Sequence, residues 1–478
     1  MYKLRIVVVA SGWIAATAGV EAPRPMGAVP TAAQIAWQRG ETNLFLHFGI
    51  NTFTDREWGT GGEDPKIFNP ARLDARQWVR AAKAGGFRTV ILTAKHHDGF
   101  CLWPSRTTDH SVKSSPWRGG KGDVVRELAD ACREAGIKLG LYLSPWDRHE
   151  KTYGDSPRYN EYYKNQMTEL LSSYGPIAEV WFDGACGEGP NGKRQEYDWQ
   201  GYWALVRRLQ PQAVMFSDAG PDVRWIGNER GIAGDPCWAT IDPGKVPFPG
   251  APGADIINAL QHGDPGGAAW RPGESDVSIR PGWFWHKKED DKVRSVDNLI
   301  DLYFKSVGRN SLLLLNVPPN DQGLLSDPDV ERLAEFRAGL NAIFRDDLAL
   351  HVKAAAGNTR GDGRRFGPAR AIDGDENSYW ATDDGVTSSW LEVDLGRSVG
   401  FSVSSVQEAI ALGQRVASYH LDYWDGSAWR EFARGTTIGH KRLDRFEPVT
   451  ARRVRLVIDK ALASPAIAAF SLYLAPDK

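Results

Sequence analysis

Between residues 40 and 345, short apolar runs alternate with longer segments of helical period. The runs NLFLHFGI (43–50), TVILTAK (89–95), KLGLYLS (138–144), EVWFDG (179–184), AVMFSD (213–218) and SLLLLNV (311–317) read as buried strands. The stretches 69–86, 123–136, 156–175, 197–210, 294–307 and 328–345 read as helices between them. In 69–86, Asn69 is placed to cap, Pro70 suits the first turn and glycines close the end. In 123–136, Val124, Leu128, Cys132 and Ala135 share one face, which predicts a buried free thiol at Cys132. Residues 219–290 are rich in Gly, Pro and Trp, with weak strand signals at 237–241 and 275–279.

About eight buried strands alternating with helices predict an α/β fold, a parallel (β/α)8-type barrel. A doubly wound open sheet is the competing arrangement. It usually carries a Gly-rich phosphate turn after its first strand, and HFGINTF has no GxGxxG. Beyond about residue 350, short strands such as 389–396, 418–424 and 452–459 are separated by turns such as Asp425–Gly426. That pattern predicts a C-terminal β-sandwich. The expected division is a barrel domain over 30–347 and a sandwich over 350–478.

Successive strand residues point to opposite faces. Leu44, Leu46 and Phe48 oppose Phe45, His47 and Gly49; Leu139, Leu141 and Leu143 oppose Gly140, Tyr142 and Ser144; Val180 and Phe182 oppose Trp181 and Asp183. Each strand thus has one apolar face suited to helices. The other face turns aromatic or polar toward its C-terminal end. In a barrel those ends converge at one mouth, where barrel active sites sit. His47, Tyr142, Trp181 and Asp183 would meet there, joined by Lys95, His96, His97 and Asp98.

Composition narrows the chemistry. The chain has 478 residues, a net charge of -2 and no strongly basic or acidic run, so nothing favours nucleic acid. Nineteen tryptophans are a heavy load, and indole faces suit sugar rings as well as cores. At the N-terminus, Lys3 and Arg5 precede an apolar run and small residues. This pattern predicts a signal peptide over 1–22, cut after Ala18 or Ala22, and export to the periplasm or beyond the cell. The run is too short to predict a membrane anchor. The four cysteines fit no zinc spacing. A serine elbow and HEXXH are both absent from the sequence, and adjacent histidines on a strand would face opposite ways. A glycosidase fits better, since it needs two carboxyl groups flanking the scissile bond. Asp183 suits the fixed nucleophile; Glu188, Asp222, Glu229 and Glu274 are candidates for the second group.

FLHFGINTF (45–53), REWG (56–59), KHHDGFCLWPS (95–105), GLYLSPWD (140–147), EVWFDGA (179–185) and PGWFWH (281–286) resemble, in order, segments of the α-L-fucosidases of glycoside hydrolase family 29. The resemblance implies a retaining exo-α-L-fucosidase acting on fucosylated glycans without a metal cofactor, with Asp183 as nucleophile. The segment DVRWIGNERG (222–231) is similar to the subgroup acting on α-1,3 and α-1,4 linkages, which implies Glu229 as acid/base. It further implies that His47, Glu57, Trp58, His96, His97 and Tyr142 contact the sugar and that Trp181 and Trp285 wall its methyl side. Alternatives are a retaining glycosidase for another sugar and a non-catalytic carbohydrate-binding protein. Residues 369–396 and 439–458 resemble discoidin (coagulation factor 5/8 type C) domains. Relatives of that sandwich bind sugars, and some hold calcium near an IDGD turn, which would involve Asp373 and Asp375.

Overall fold

The computed structural model describes residues 20–361 and 363–476. The expected signal peptide lies outside the described residues except for Val20, Glu21 and Ala22. Eight parallel strands form the first domain: β1 (Thr42–Leu46), β2 (Thr89–Lys95), β3 (Lys138–Leu143), β4 (Ile177–Trp181), β5 (Val214–Phe216), β6 (Arg224–Trp225), β7 (Gly273–Ser278) and β8 (Ser311–Asn316). Their order is β5-β4-β3-β2-β1-β8-β7-β6. A parallel bridge between Phe216 and Val223 links the two ends, so the sheet is a nearly closed barrel.

The two strand faces separate as the alternation predicts. Leu44, Leu46, Phe48, Leu139, Leu141, Leu143, Val180 and Phe182 pack outward with the helices. Phe45, Ile91, Tyr142, Trp181, Val214, Phe216, Leu312 and Leu314 fill the interior. Gly140 is needed there: a Cβ would lie 2.7 Å from Ile91 Cγ1. Helix Ala32–Gln38 closes the lower end, capped by Thr31 and Gln34 in a reciprocal box. Its Trp37 donates through Nε1 to Glu179 inside the barrel at 2.9 Å.

Several expected boundaries move. The first long helix begins at Ala75, capped by Asp74 rather than Asn69, because Asp74 accepts from the amides of Arg76 and Gln77. The weak signal at 275–279 is the barrel strand β7, whereas 237–241 yields only a two-residue pairing with Ala269–Trp270. The short β6, inside DVRWIGNERG, has too few residues to show a period. All four cysteines are free, and Cys132 is buried on its helix.

The second domain is an antiparallel sheet of seven strands. Its two twenty-residue strands, Ser389–Glu408 and Arg442–Ala461, break register between Asp394 and Val399 and between Phe401 and Val403. There the sheet folds over a core that includes Trp380, Leu391, Val454, Leu456 and Phe470. The domains are bonded directly. Thr437 Oγ1 accepts from the Cys237 amide at 2.9 Å, and Gln414 Oε1 accepts from the Ala239 amide at 2.7 Å and from Asn310 Nδ2 at 3.1 Å. Arg442 pairs with Asp235 at 2.9 Å.

Candidate active site

At the C-terminal mouth of the barrel lies a cavity of about 600 Å3. His47, Glu57, Trp58, His96, His97, Tyr142, Trp181, Asp183 and Glu229 all line it. Trp285 does not. Its ring is buried outside the cavity and its Nε1 donates to Asp290 at 3.1 Å. Trp283, two residues earlier, takes the wall position expected of it. Lys95 and Asp98 also turn away. Lys95 is fully buried, pairing with Asp147 at 2.8 Å and bonding Gln166 at 2.9 Å. Asp98 accepts from the Phe100 amide in the loop below, where burial raises its pKa to about 7.

Asp183 sits just past the end of β4. Its Oδ1 accepts from the Ala185 amide at 2.7 Å and its Oδ2 from Tyr142 Oη at 3.0 Å, with His97 Nε2 3.8 Å away. These donors fix the carboxylate's pose. Gly184 follows because the chain at Gly250 crosses directly over it: a Cβ on Gly184 would lie 2.5 Å from the Gly250 nitrogen.

Three imidazoles face the cavity. β2 ends at Lys95, so His96 and His97 lie beyond the strand and both rings turn inward, 4.1 Å apart. The Ser144 hydroxyl donates to Trp146 O, so it accepts from His97 Nδ1 at 2.7 Å. Asn316 donates its amide to Ser278 and to Trp283 O, so its Oδ1 accepts from His47 Nδ1 at 2.8 Å. These partners assign the tautomers: Nε2 of His47 and of His97 carries a lone pair toward the cavity. Burial holds His47 down to about 3 and lowers His96 and His97 as well, the last partly offset by Asp183. All three are neutral hydrogen-bonding groups near pH 7.

Of the four candidates for the second carboxyl, only Glu229 reaches the cavity. Asp222 is held by Arg207 and the Met215 amide, Glu188 is exposed in a loop, and Glu274 is buried in the barrel. Glu229 Oε2 accepts from Trp283 Nε1 at 3.2 Å. Its pKa is raised, chiefly by loss of water, with the charges of Asp183 and Glu57 adding. The side chain still opens to solvent, which keeps that rise limited.

The structure adds two acids that sequence reasoning missed, Asp218 and Asp276. Asp218 accepts from the Gly250 amide at 2.8 Å, and burial lifts its pKa to about 6. Asp276 on β7 accepts from Trp225 Nε1 at 2.8 Å, and burial lifts its pKa well above the carboxylate range. Trp58 stands 58% exposed at the rim, edge-on to His97 and Trp146.

Among the described residues no cluster of three or more His, Cys, Asp or Glu is arranged to hold a metal ion. The turn at Asp373 and Asp375, where calcium was expected, is braced by its own hydrogen bonds. Asp373 accepts from the Asp375 amide and Ser378 Oγ, and the Arg370 guanidinium lies 3.5 Å away.

The two carboxyls, Asp183 fixed by its donors and Glu229 raised in pKa, stand where a barrel glycoside hydrolase places its catalytic pair. The alpha-L-fucosidase family profile matches residues 47–342, and the chain belongs to that family. An F5/8 type C domain profile matches 353–470. The chain is 50% identical over 456 residues to alpha-L-fucosidase 1 of Arabidopsis thaliana, covering 95% of this chain and 88% of that one. The solved structure of SpGH29 superposes with a TM-score of 0.90 at 44% identity, covering 95% of this chain and all (100%) of that one. A Ruminococcus gnavus GH29 fucosidase in complex with fucose superposes at 0.87 with 35% identity, covering 96% and 98%.

Proposed function

We propose that this enzyme is a retaining exo-α-L-fucosidase releasing terminal fucose, α-1,3- or α-1,4-linked, from glycans by double displacement. The observation that carries the reading is that Asp183 and Glu229 face one cavity in different environments. Asp183 is held by two donors, whereas Glu229 has a raised pKa. Such a contrast separates nucleophile from acid. Asp183 attacks the anomeric carbon while Glu229 protonates the departing oxygen. Glu229 then takes a proton from the water that cleaves the fucosyl ester. The two groups supply nucleophile and proton, so the scheme uses no cofactor. Nε2 of His47 and of His97 accepts from sugar hydroxyls, and the indole of Trp181, stacked 3.9 Å from Phe216, offers an apolar wall to the C6 methyl.

The test is chemical rescue. With an activated fucoside and added azide, Glu229→Ala yields the α-fucosyl azide and Asp183→Ala the β-fucosyl azide. The opposite assignment of products, or normal hydrolysis of branched fucosylated glycans by Glu229→Ala, rejects the roles. A panel of aryl glycosides tests the sugar, and positional isomers of fucosylated oligosaccharides test the linkage.

Export to the periplasm or beyond the cell belongs to the same proposal. Val20 and Ala22 pack against the second domain near Phe366 and Tyr379, and Glu21 O accepts from Arg360. Cleavage after Ala18 preserves these contacts, so N-terminal sequencing of the mature protein is expected to begin at Gly19.

A further inference from the structure

His286 lies outside every role assigned above, yet both of its ring nitrogens face carboxylates. Nδ1 is 2.5 Å from Asp55 Oδ1 and Nε2 is 2.6 Å from Glu57 Oε1. Two acceptors require two N–H donors, so the ring is an imidazolium. Its pKa is raised: burial works against the charge, and Asp55 and Glu57 together outweigh it. Lys288 acts on Asp55, and Glu289 turns aside to accept from the Gly282 amide at 3.0 Å. The ring packs tightly on Gly282, where a Cβ would lie 2.9 Å from His286 Cδ2 and 2.4 Å from Glu57 Oε1.

Glu57 then reaches the segment that carries Trp283. Its Oε2 accepts from the Trp283 amide at 2.9 Å and its Oε1 from the Phe284 amide at 3.3 Å. The indole of Trp283 in turn donates to Glu229. The chain of contacts is unbroken from Asp55 through His286, Glu57 and Trp283 to the second carboxyl.

We propose that His286 is a positioning residue for acid catalysis: bridging Asp55 and Glu57, it holds the Trp283 segment so that the indole N–H orients Glu229. The proposal rests on the reading of Glu229 as acid/base. It assigns Glu57 a second task besides lining the sugar site. Without the bridging cation, Asp55 and Glu57 are like charges with no partner between them, and Glu57 is free to leave the two amides.

The experiment compares leaving groups. Acid assistance matters for a methyl or phenyl fucoside and little for a para-nitrophenyl fucoside. His286→Ala is expected to lower kcat/KM on the poor leaving groups roughly 10-fold or more and on the activated one less than about 3-fold, within the range of general acid catalysis. Asp55→Asn guards against misfolding, since Asp55 is two-thirds exposed (66%). It is expected to give the same selectivity at smaller size, and His286→Gln, which keeps one donor, to fall between wild type and His286→Ala. Nitrogen NMR of labelled histidine should find both His286 nitrogens protonated near neutral pH. Equal losses on both classes of leaving group, or a neutral His286, overturn the proposal. Glu229→Ala is run alongside: if it shows leaving-group selectivity and His286→Ala does not, the positioning role alone fails. If Glu229→Ala shows none, the acid/base reading fails and takes this role with it.

Discussion

Beneath the sugar cavity, Glu179 of β4 and Glu274 of β7 meet in the barrel interior. Glu179 Oε2 accepts from Trp37 and Asn43, both at 2.9 Å. Glu179 Oε1 and both oxygens of Glu274 receive no N–H or other protein donor, and the Trp181 indole points toward Glu274 without reaching hydrogen-bond geometry. A proton shared between the two carboxyls would join Glu179 Oε1 to one of the Glu274 oxygens. Burial raises Glu179 from 4.5 to about 7, and burial plus the charge of Glu179 raises Glu274 well above its ordinary value. A carboxyl whose folded pKa is raised contributes stability that is complete below the unfolded value and is lost as pH rises through the folded one. For Glu179 alone the shift corresponds to on the order of 3 kcal/mol across that window. In Glu274→Gln the side-chain amide donates to Glu179 in place of the shared proton, and the like charge is gone. Urea midpoints followed from about pH 5 to about pH 8 should therefore fall in the wild type and fall distinctly less in Glu274→Gln, by up to a few kcal/mol. Asp98 and Glu408, both raised to about 7, slope both proteins alike and cancel in the difference. Parallel pH profiles would refute the shared proton.

Two further outcomes follow from the site. Tyr142→Phe removes the hydroxyl that bonds Asp183 at 3.0 Å and should lower kcat with a small change in thermal midpoint, the lost bond to a charged group being worth about 1.5–3 kcal/mol. Gly250→Ala places a Cβ 2.1 Å from Gly184 O at a φ of +77°, so steady-state assay should find fucosidase activity sharply reduced by displacement of the strand end carrying Asp183.

The barrel was legible because its strands keep two distinct faces. Leu139, Leu141 and Leu143 against Gly140, Tyr142 and Ser144 declare both the helix side and the interior. The same signature that exposes Asp183, a polar residue closing an apolar run, also ends AVMFSD and SLLLLN, and it could have found Asp218 and Asn316. Asp276 was hidden because β7, GESDVS, is buried on both faces yet polar, so it lacks the apolar run that marks the other strands, and Asp276 is held by Trp225 of β6, 51 residues away in sequence. Trp283 and Trp285 share a face by spacing in PGWFWH. What separates them is Glu57, 226 residues away, taking the Trp283 amide while Asp290 takes the Trp285 indole. Tertiary contacts of that range leave no local trace.

The bonds that Gln414, Thr437 and Arg442 make to residues 235–239 have a bearing on how the enzyme can be dissected. A barrel expressed alone would present the amides of Cys237 and Ala239 with their acceptors amputated and would leave Asp235 only the more distant Arg309, 3.8 Å away, a few positions downstream of Glu229. The barrel is therefore expected to lose stability without its trailing module, and a foreign module put in its place is expected to restore that stability only if those three side chains travel with the graft.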